Sequence, residues 1–497
     1  MSPLPGLEIY FNFPIFPTAC AVGYKMPPAT RAEEKSFCPL SFDSLLLLTA
    51  LLNAGAILPT CRIIKDTEDL MASILIKGGR VLSPEDNLDG ALDVRIEDGV
   101  IREIGPNLAG EADETFDARG NVVAPGFIDI HVHLREPGGE ASETLQTGLA
   151  AAVAGGFTAV ATMPNTKPVI DQPGLVAAQI EKARRLGLAR VFPVAAVSMA
   201  SQGESLTDFA ALVAAGAVAF SDDGRPVKTA GLLRRALERS RVLGVPISEH
   251  CEDSSLSAHG VINEGPVAKE LGVCGIPNSS EDVCAARGVI MAEATGGHLH
   301  VAHLSTAGAL DMVRQAKRRG VRVTCEVTPH HFALTDEAVL AHGSNAKMNP
   351  PLRSATDLEA IRAGIADGTV DAIATDHAPH APDLKAKPLD AGAPFGIIGL
   401  ETALGLALSE LVHPGLISLW HMISLLSANP ARIINQPLGR LQVGGAADLT
   451  LFDPDLAWTY RASEGRSKSR NTPFDGRTFR GAVTATIVAG NIVYRRG

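Results

Sequence analysis

The chain has 497 residues, 46% of them apolar, and a formal net charge of −11. That length and apolar share can bury a large core; they suit one big barrel with a smaller appended module and do not require several independent domains. No run of Lys and Arg makes a basic stripe able to neutralise phosphates, so nucleic acid and anionic membrane are set aside as partners in favour of a small-molecule substrate.

The seven Cys (20, 38, 61, 251, 274, 284 and 325) form no CxxC pair. That usage fits a reducing compartment, with the cytoplasm as the simplest reading, and argues against a structural zinc knuckle. The apolar run 45–58, LLLLTALLNAGAIL, is too short to span a bilayer unaided. As a signal-peptide core it is poorly framed: Glu33, Glu34 and Asp43 precede it, and Pro59 and Cys61 stand where small cleavage-site residues are wanted. Residues 1–70 therefore read as an N-terminal extension, either disordered or upstream of the true start, and the folded protein is expected to begin near Met71.

Residues 71–124 read as the first part of a small β module. They hold SILIKGGRV (73–81) and LDVRIEDGVIREIG, with Asp98-Gly99 at a hairpin position. From 125 to 436 short apolar strands alternate with Ala-rich helical stretches, the βα signature of a parallel sheet. Candidate strands run 127–134, 157–163, 191–198, 218–223, 246–252, 298–305, 321–328 and 371–376. Eight alternations over roughly 250 residues is the size of a TIM barrel. Residues 437–497 turn β-rich again, so the predicted fold is α/β: a (β/α)8 TIM-type barrel with a small β-sandwich module formed by its two flanks.

In such a barrel the chemistry sits at the C-terminal strand ends. Strand one ends FIDIHVHLREPG, and alternation puts Asp129, His131 and His133 on one face, with Ile128, Ile130, Val132 and Leu134 facing the helices. His250 in PISEHCED and His303 in HLHVAHLS follow on strands five and six, whereas His298 and His300 have the opposite parity and are expected to face outward, solvated or hydrogen-bonded. Strand eight, DAIATDHAPH, places Asp376 beside Ala372 and Ala374. Four imidazoles and a carboxylate amount to a two-metal site that lacks one bridging ligand. Strand four offers Asp222 and Asp223, of which parity admits one, and no strand carries an equivalent lysine.

From about Ser73 to its C-terminus the chain resembles a class I dihydroorotase of the amidohydrolase superfamily. The motifs that carry the resemblance are PGFIDIHVHLREPG, ATMPNTKPV, FSDDG, EHCED, HVAHLST, EVTPHH, KMNPPLR, ATDHAPH, APFGI and NTPFDG, in family order. The resemblance implies reversible, zinc-dependent closure of N-carbamoyl-L-aspartate to (S)-dihydroorotate in pyrimidine biosynthesis. It implies two zinc ions per subunit: His131, His133 and Asp376 on one, His250 and His303 on the other, with Asp223 and a hydroxide as bridges. Asp376 becomes the catalytic acid and base. His133, Arg135, Asn165 and His380 become contacts of the substrate and its carboxylate, and Asn349, Phe395 and Gly396 contacts of the ring. A homo-oligomer and an aspartate transcarbamoylase partner are both compatible with it.

His330 and His331 match the family, and a structural role is expected for them. One departure is Glu249, where the family usually has a small apolar residue before the strand-five ligand; parity sends it outward. Two rival readings are weighed. A hydantoinase, dihydropyrimidinase or allantoinase would bridge its metals with a modified lysine and lack the Arg135 and Asn165 pair. A non-catalytic, dihydroorotase-like scaffold subunit would have lost metal ligands, whereas all six positions are filled here.

Overall fold

The computed structural model describes residues 73–497, so the expectations for residues 1–70 lie outside the described residues. The chain enters through β1 (Ile74–Ser83), β2 (Leu88–Glu97), β3 (Val100–Gly105), β4 (Glu114–Asp117) and β5 (Val122–Pro125). Between β2 and β3, Asp98 and Gly99 have φ of 51° and 73°. Two left-handed residues in succession give the turn whose twist matches the paired strands.

The barrel follows directly. Its strands are β6 (Phe127–Val132), β7 (Phe157–Thr162), β8 (Arg190–Ala195), β9 (Ala219–Phe220) and β10 (Ile247–Glu249). After a short parallel pair in a connecting loop, β11 (Ile262–Asn263) and β12 (Gly275–Ile276), come β13 (Leu299–Val301), β14 (Val323–Val327) and β15 (Ala372–Ile373). These eight barrel strands pair in parallel in chain order, so every strand expected from the sequence is present. Helices such as Leu145–Ala154, Pro173–Leu186, Ala230–Leu243, Asn278–Thr295 and Ala307–Arg318 connect them and cover the outside.

The wall closes sparsely. Between β6 and the end of β15 there is one isolated parallel bridge, Val132 to His377, with the His133 N–H donating to the His377 carbonyl at 2.9 Å. Below it the buried carboxylate of Asp129 accepts the Thr375 N–H at 3.1 Å and the His131 N–H at 3.0 Å. Burial pushes that carboxyl up to about 7, against the pull of these donors.

The phase of strand one corrects the expectation from simple alternation. Pairing with β7 runs Ile128 to Ala159 and Asp129 to Val160, then jumps to Val132 with Thr162, so β6 carries one extra residue. Ile128 and Ile130 consequently join the small interior cluster with Ala159, Ala161, Val194, Ala372 and Ala374. Val132 and Leu134 lie on the opposite face, packed with the helix residues Leu145 and Leu149. A bulge of this kind re-aims the side chains that follow it. His131 and His133 thus reach the barrel mouth because the strand changes phase, with Ile128 and Ile130 left inside beneath them.

Past the barrel, β16 (Leu449–Thr459), β17 (Thr478–Val488) and β18 (Asn491–Arg495) extend β5. One continuous sheet results, ordered β18-β17-β16-β5-β1-β2-β3 with β4 on β1, so strands from both flanks share it. Val100 at the start of β3 bridges back to Ala446, ahead of β16. The sheet thereby curls around its own core of Ile76, Val94, Ile96, Leu449, Leu451 and Ile487.

Candidate metal centre and active site

Six side chains from five barrel strands meet at one mouth of the barrel. His131 and His133 come from the end of β6, Asp223 from just after β9, His250 from just after β10, His303 from just after β13 and Asp376 from just after β15. All six are buried. His131 Nε2 lies 3.4 Å from Asp223 Oδ1 and 3.6 Å from Asp376 Oδ1. His133 Nε2 lies 3.0 Å from Asp376 Oδ1 and 3.4 Å from Asp223 Oδ2. On the other side of Asp223, His250 Nδ1 and His303 Nε2 are each 3.7 Å from Oδ1 and 2.8 Å from one another.

Three of the four imidazoles are oriented from behind. The Nδ1–H of His131 donates to Glu326 Oε1 at 2.6 Å, that of His133 to Asn165 Oδ1 at 2.9 Å, and the Nε2–H of His250 to Glu252 Oε2 at 3.1 Å. With the far nitrogen committed as donor, the near nitrogen presents a lone pair to the carboxylates, which also present lone pairs. Such an arrangement needs a cation between them, a proton or a metal ion. Burial disfavours the His131 imidazolium, yet Glu326, Asp376 and Asp223 together hold it well above the usual histidine range, which marks the strength of the negative field at this point. Among the described residues His131 Nε2 and Asp223 Oδ1 are buried without a hydrogen-bond partner. The triplets His131, His133, Asp223 and Asp223, His250, His303 each bring ligand atoms within 4.8 Å of one another, as do His131, His303 and Asp376. Asp223 is common to the two sides. This N and O donor set fits divalent zinc, and the orphaned atoms are those a metal would take up.

The backbone at the site is held in an unfavourable conformation. Arg135, His303 and Asp376 have φ of 58°, 32° and 45°, a left-handed region that costs a non-glycine residue about 1–3 kcal/mol and tends to cluster at functional sites.

Beside the cluster opens a cavity of about 180 Å³ lined by His133, Arg135, Asn165, Asn349, His380 and Phe395, together with Asp223, His250, His303 and Asp376. Arg135 is half-buried, gives its Nε–H to the Pro379 carbonyl at 3.1 Å and makes no ion pair among the described residues. Burial pulls its guanidinium down to about 10, still charged at neutral pH. Asn165 also donates to Asp223 Oδ2 at 3.4 Å, and Asn349 to Glu252 Oε2 at 3.0 Å, so both amides brace the cluster as well as line the cavity. His380 gives its Nε2–H to the Phe395 carbonyl at 2.7 Å; burial, then Arg135, lower it to about 3, so it is neutral. Gly396 lies behind this wall. A Cβ there would sit 2.5 Å from the Ala378 carbonyl oxygen and 2.7 Å from the His380 ring, at a φ of 152°.

His298 and His300 are buried and hydrogen-bonded, but the expectation that they face outward is wrong: Leu299 and Val301 take the face toward the helices, which turns His298 and His300 into the barrel with Glu326. His298 shares Thr324 Oγ1 with His300, and His300 Nε2–H donates to Glu326 Oε2 at 3.1 Å. His331 spans Thr328 Oγ1 and the Pro350 carbonyl. Glu249 faces outward as its parity requires, buried beneath the helix Asn278–Thr295 against Arg287, and it accepts the Val227 N–H. Glu326 is the residue that the sequence reading missed. A lone carboxylate inside the otherwise uncharged strand VTCEV was the available signal, since a buried charge requires partners.

A closed parallel barrel with a buried two-sided cluster of imidazoles and carboxylates at its C-terminal mouth defines a metal-dependent amidohydrolase. Residues 120–309 match the dihydro-orotase-like family. The chain is 51% identical over 425 residues to a dihydroorotase of Pelobacter propionicus, covering 85% of this chain and all of that one. It is 50% identical to a dihydroorotase of a Geobacter species, covering 86% of this chain and all of that one. The chain belongs to the dihydroorotase family. Among solved structures it is similar to the L-hydantoinase of Arthrobacter aurescens, with a TM-score of 0.77 at 26% identity, covering 86% of this chain and 97% of that one.

Proposed function

We propose that this protein is a dihydroorotase that closes N-carbamoyl-L-aspartate to (S)-dihydroorotate with loss of water, reversibly, in the pathway to UMP. The single observation that supports this most is a charged Arg135 that makes no ion pair among the described residues, on the same cavity as the orphaned donor cluster. A planar guanidinium suits the carboxylate that this substrate keeps through the reaction. A cyclic amide without a carboxylate, the substrate type of a hydantoinase, leaves that group unused.

In this reading zinc is held by His131, His133 and Asp376 on one side and by His250 and His303 on the other, with Asp223 between. Two ions there supply a hydroxide at neutral pH and polarise the carbonyl it attacks. The chain's own groups do the rest. Asp376, which lies 3.0 Å from His133 and 3.6 Å from His131 at the cavity wall, would be the group that accepts the nucleophile's proton in the hydrolytic direction. It then returns that proton to the ring nitrogen as the amide bond breaks. In the biosynthetic direction Asp376 would take the proton that the ureido nitrogen loses as it bonds to the side-chain carboxyl carbon and pass it to the departing oxygen, which leaves as water with a second proton taken up from solvent. Arg135 and Asn165 hold the spectator carboxylate, with His380 beside them, while Asn349, Phe395 and the Gly396 backbone flank the ring. The compartment assigned is the cytoplasm. Self-association and pairing with an aspartate transcarbamoylase are the partnerships this reading admits.

Ring closure followed in the ultraviolet tests it. The parent should turn over, and Asp376→Ala should lose about 10²–10⁴-fold in rate. A parent that opens hydantoin and leaves carbamoyl-aspartate untouched would reverse the assignment.

A further inference from the structure

The motif NTPFDG lies in the C-terminal flank between β16 and β17, far in sequence from the barrel strands. Its first residue, Asn471, is 3% exposed and every polar group on its side chain is used. Oδ1 accepts the His380 N–H at 3.0 Å. Nδ2 donates to the Ala378 carbonyl at 2.9 Å and to the Gly396 carbonyl at 3.0 Å. Its own carbonyl accepts the Ile398 N–H at 3.0 Å. One amide thus ties together the two segments that form a wall of the substrate cavity: 378–380, carrying His380, and 395–398, carrying Phe395 and Gly396.

We propose that Asn471 is a positioning residue for the substrate-binding wall. It touches neither the cavity nor the metal cluster and acts through His380 and the Phe395-Gly396 backbone. The fit of these segments is tight, as the short Cβ distances at Gly396 show, and the His380 ring is aimed by its bond to the Phe395 carbonyl. A side chain with one acceptor and two donors in a fixed plane satisfies three backbone groups at once. Aspartate has the same shape and keeps the acceptor for His380, but it turns a carboxylate oxygen toward two carbonyl oxygens. Removing the tie should therefore loosen substrate binding and leave the catalytic centre intact.

The proposal rests on the dihydroorotase reading, and the parent enzyme separates the two: if the parent fails to close the ring, that reading falls, independently of Asn471. With an active parent, Asn471→Asp and Asn471→Ala should each raise KM for carbamoyl-aspartate and for dihydroorotate about tenfold or more. Both variants should keep kcat within about threefold and bound zinc unchanged. Because Asn471 acts through His380, Asn471→Ala should raise KM much less in a His380→Ala background than in the parent. Unchanged KM, a loss confined to kcat or zinc, or the same KM increase in both backgrounds overturns the proposal. If Asn471→Asp does not fold, Asn471→Ala and the double variant decide it alone.

Discussion

The three acceptors behind the imidazoles differ in charge: Glu326 and Glu252 are carboxylates, whereas Asn165 offers a neutral amide oxygen. Glu326 serves more of the cluster than the others, because it also accepts the His303 N–H at 3.3 Å and the His300 ring N–H. Glu326→Gln keeps an acceptor for His131 and removes the charge that raises its basicity. Metal affinity should then fall about 10–100-fold, read by competition with a chromophoric chelator. Equal affinities in parent and variant would show that the carboxylate's charge plays no part. Arg135 gives a contrasting case, since it lies beside the candidate metal cluster and, in the proposed reading, would hold the substrate's carboxylate. Arg135→Lys replaces a planar fork with a point charge, so KM should climb by about tenfold or more with zinc content preserved. Steady-state kinetics beside elemental analysis would expose the opposite pattern.

At the level of strands and helices, the cover of the barrel can be weakened without touching its chemistry. Thr229 begins the helix Ala230–Leu243, its side chain accepting the Leu232 N–H at 3.2 Å. Thr229→Ala should cost about 1 kcal/mol in thermal or denaturant unfolding, with activity unaltered. Most elements of this kind are legible in the sequence, because the apolar strands and capped helices are each determined by local pattern. The site is legible in a more mixed way. His131 and His133 are recognisable from spacing and position, but the alternation that seemed to place them assigned Ile128 and Ile130 to the wrong face, since one extra residue in β6 leaves no trace in the hydrophobic pattern. Parity likewise set His300 apart without revealing that it supports His131 through Glu326. Asn471 is beyond such reasoning: its three partners lie 75 to 93 residues away, and only the folded chain brings them within reach.

For the molecule as a whole, ions that bind the folded cluster and not the open chain must stabilise it. At a free concentration about 100 times the Kd the gain is about 2.7 kcal/mol. Chelation should therefore lower the thermal midpoint by several degrees, and zinc should restore it; a midpoint indifferent to both would place the ions elsewhere. The effect should also have an address. Between the first and last staves of the barrel there is a single isolated bridge, as sparse as the one pair that joins β9 to β10. His131 and His133 stand on one side of that gap and Asp376 on the other, so an ion held by all three fastens the wall like a rivet. Amide exchange around residues 131–135 and 375–378 should speed up on chelation while β13 and β14 stay protected, an outcome that would make a bound cation the piece that finishes the cylinder.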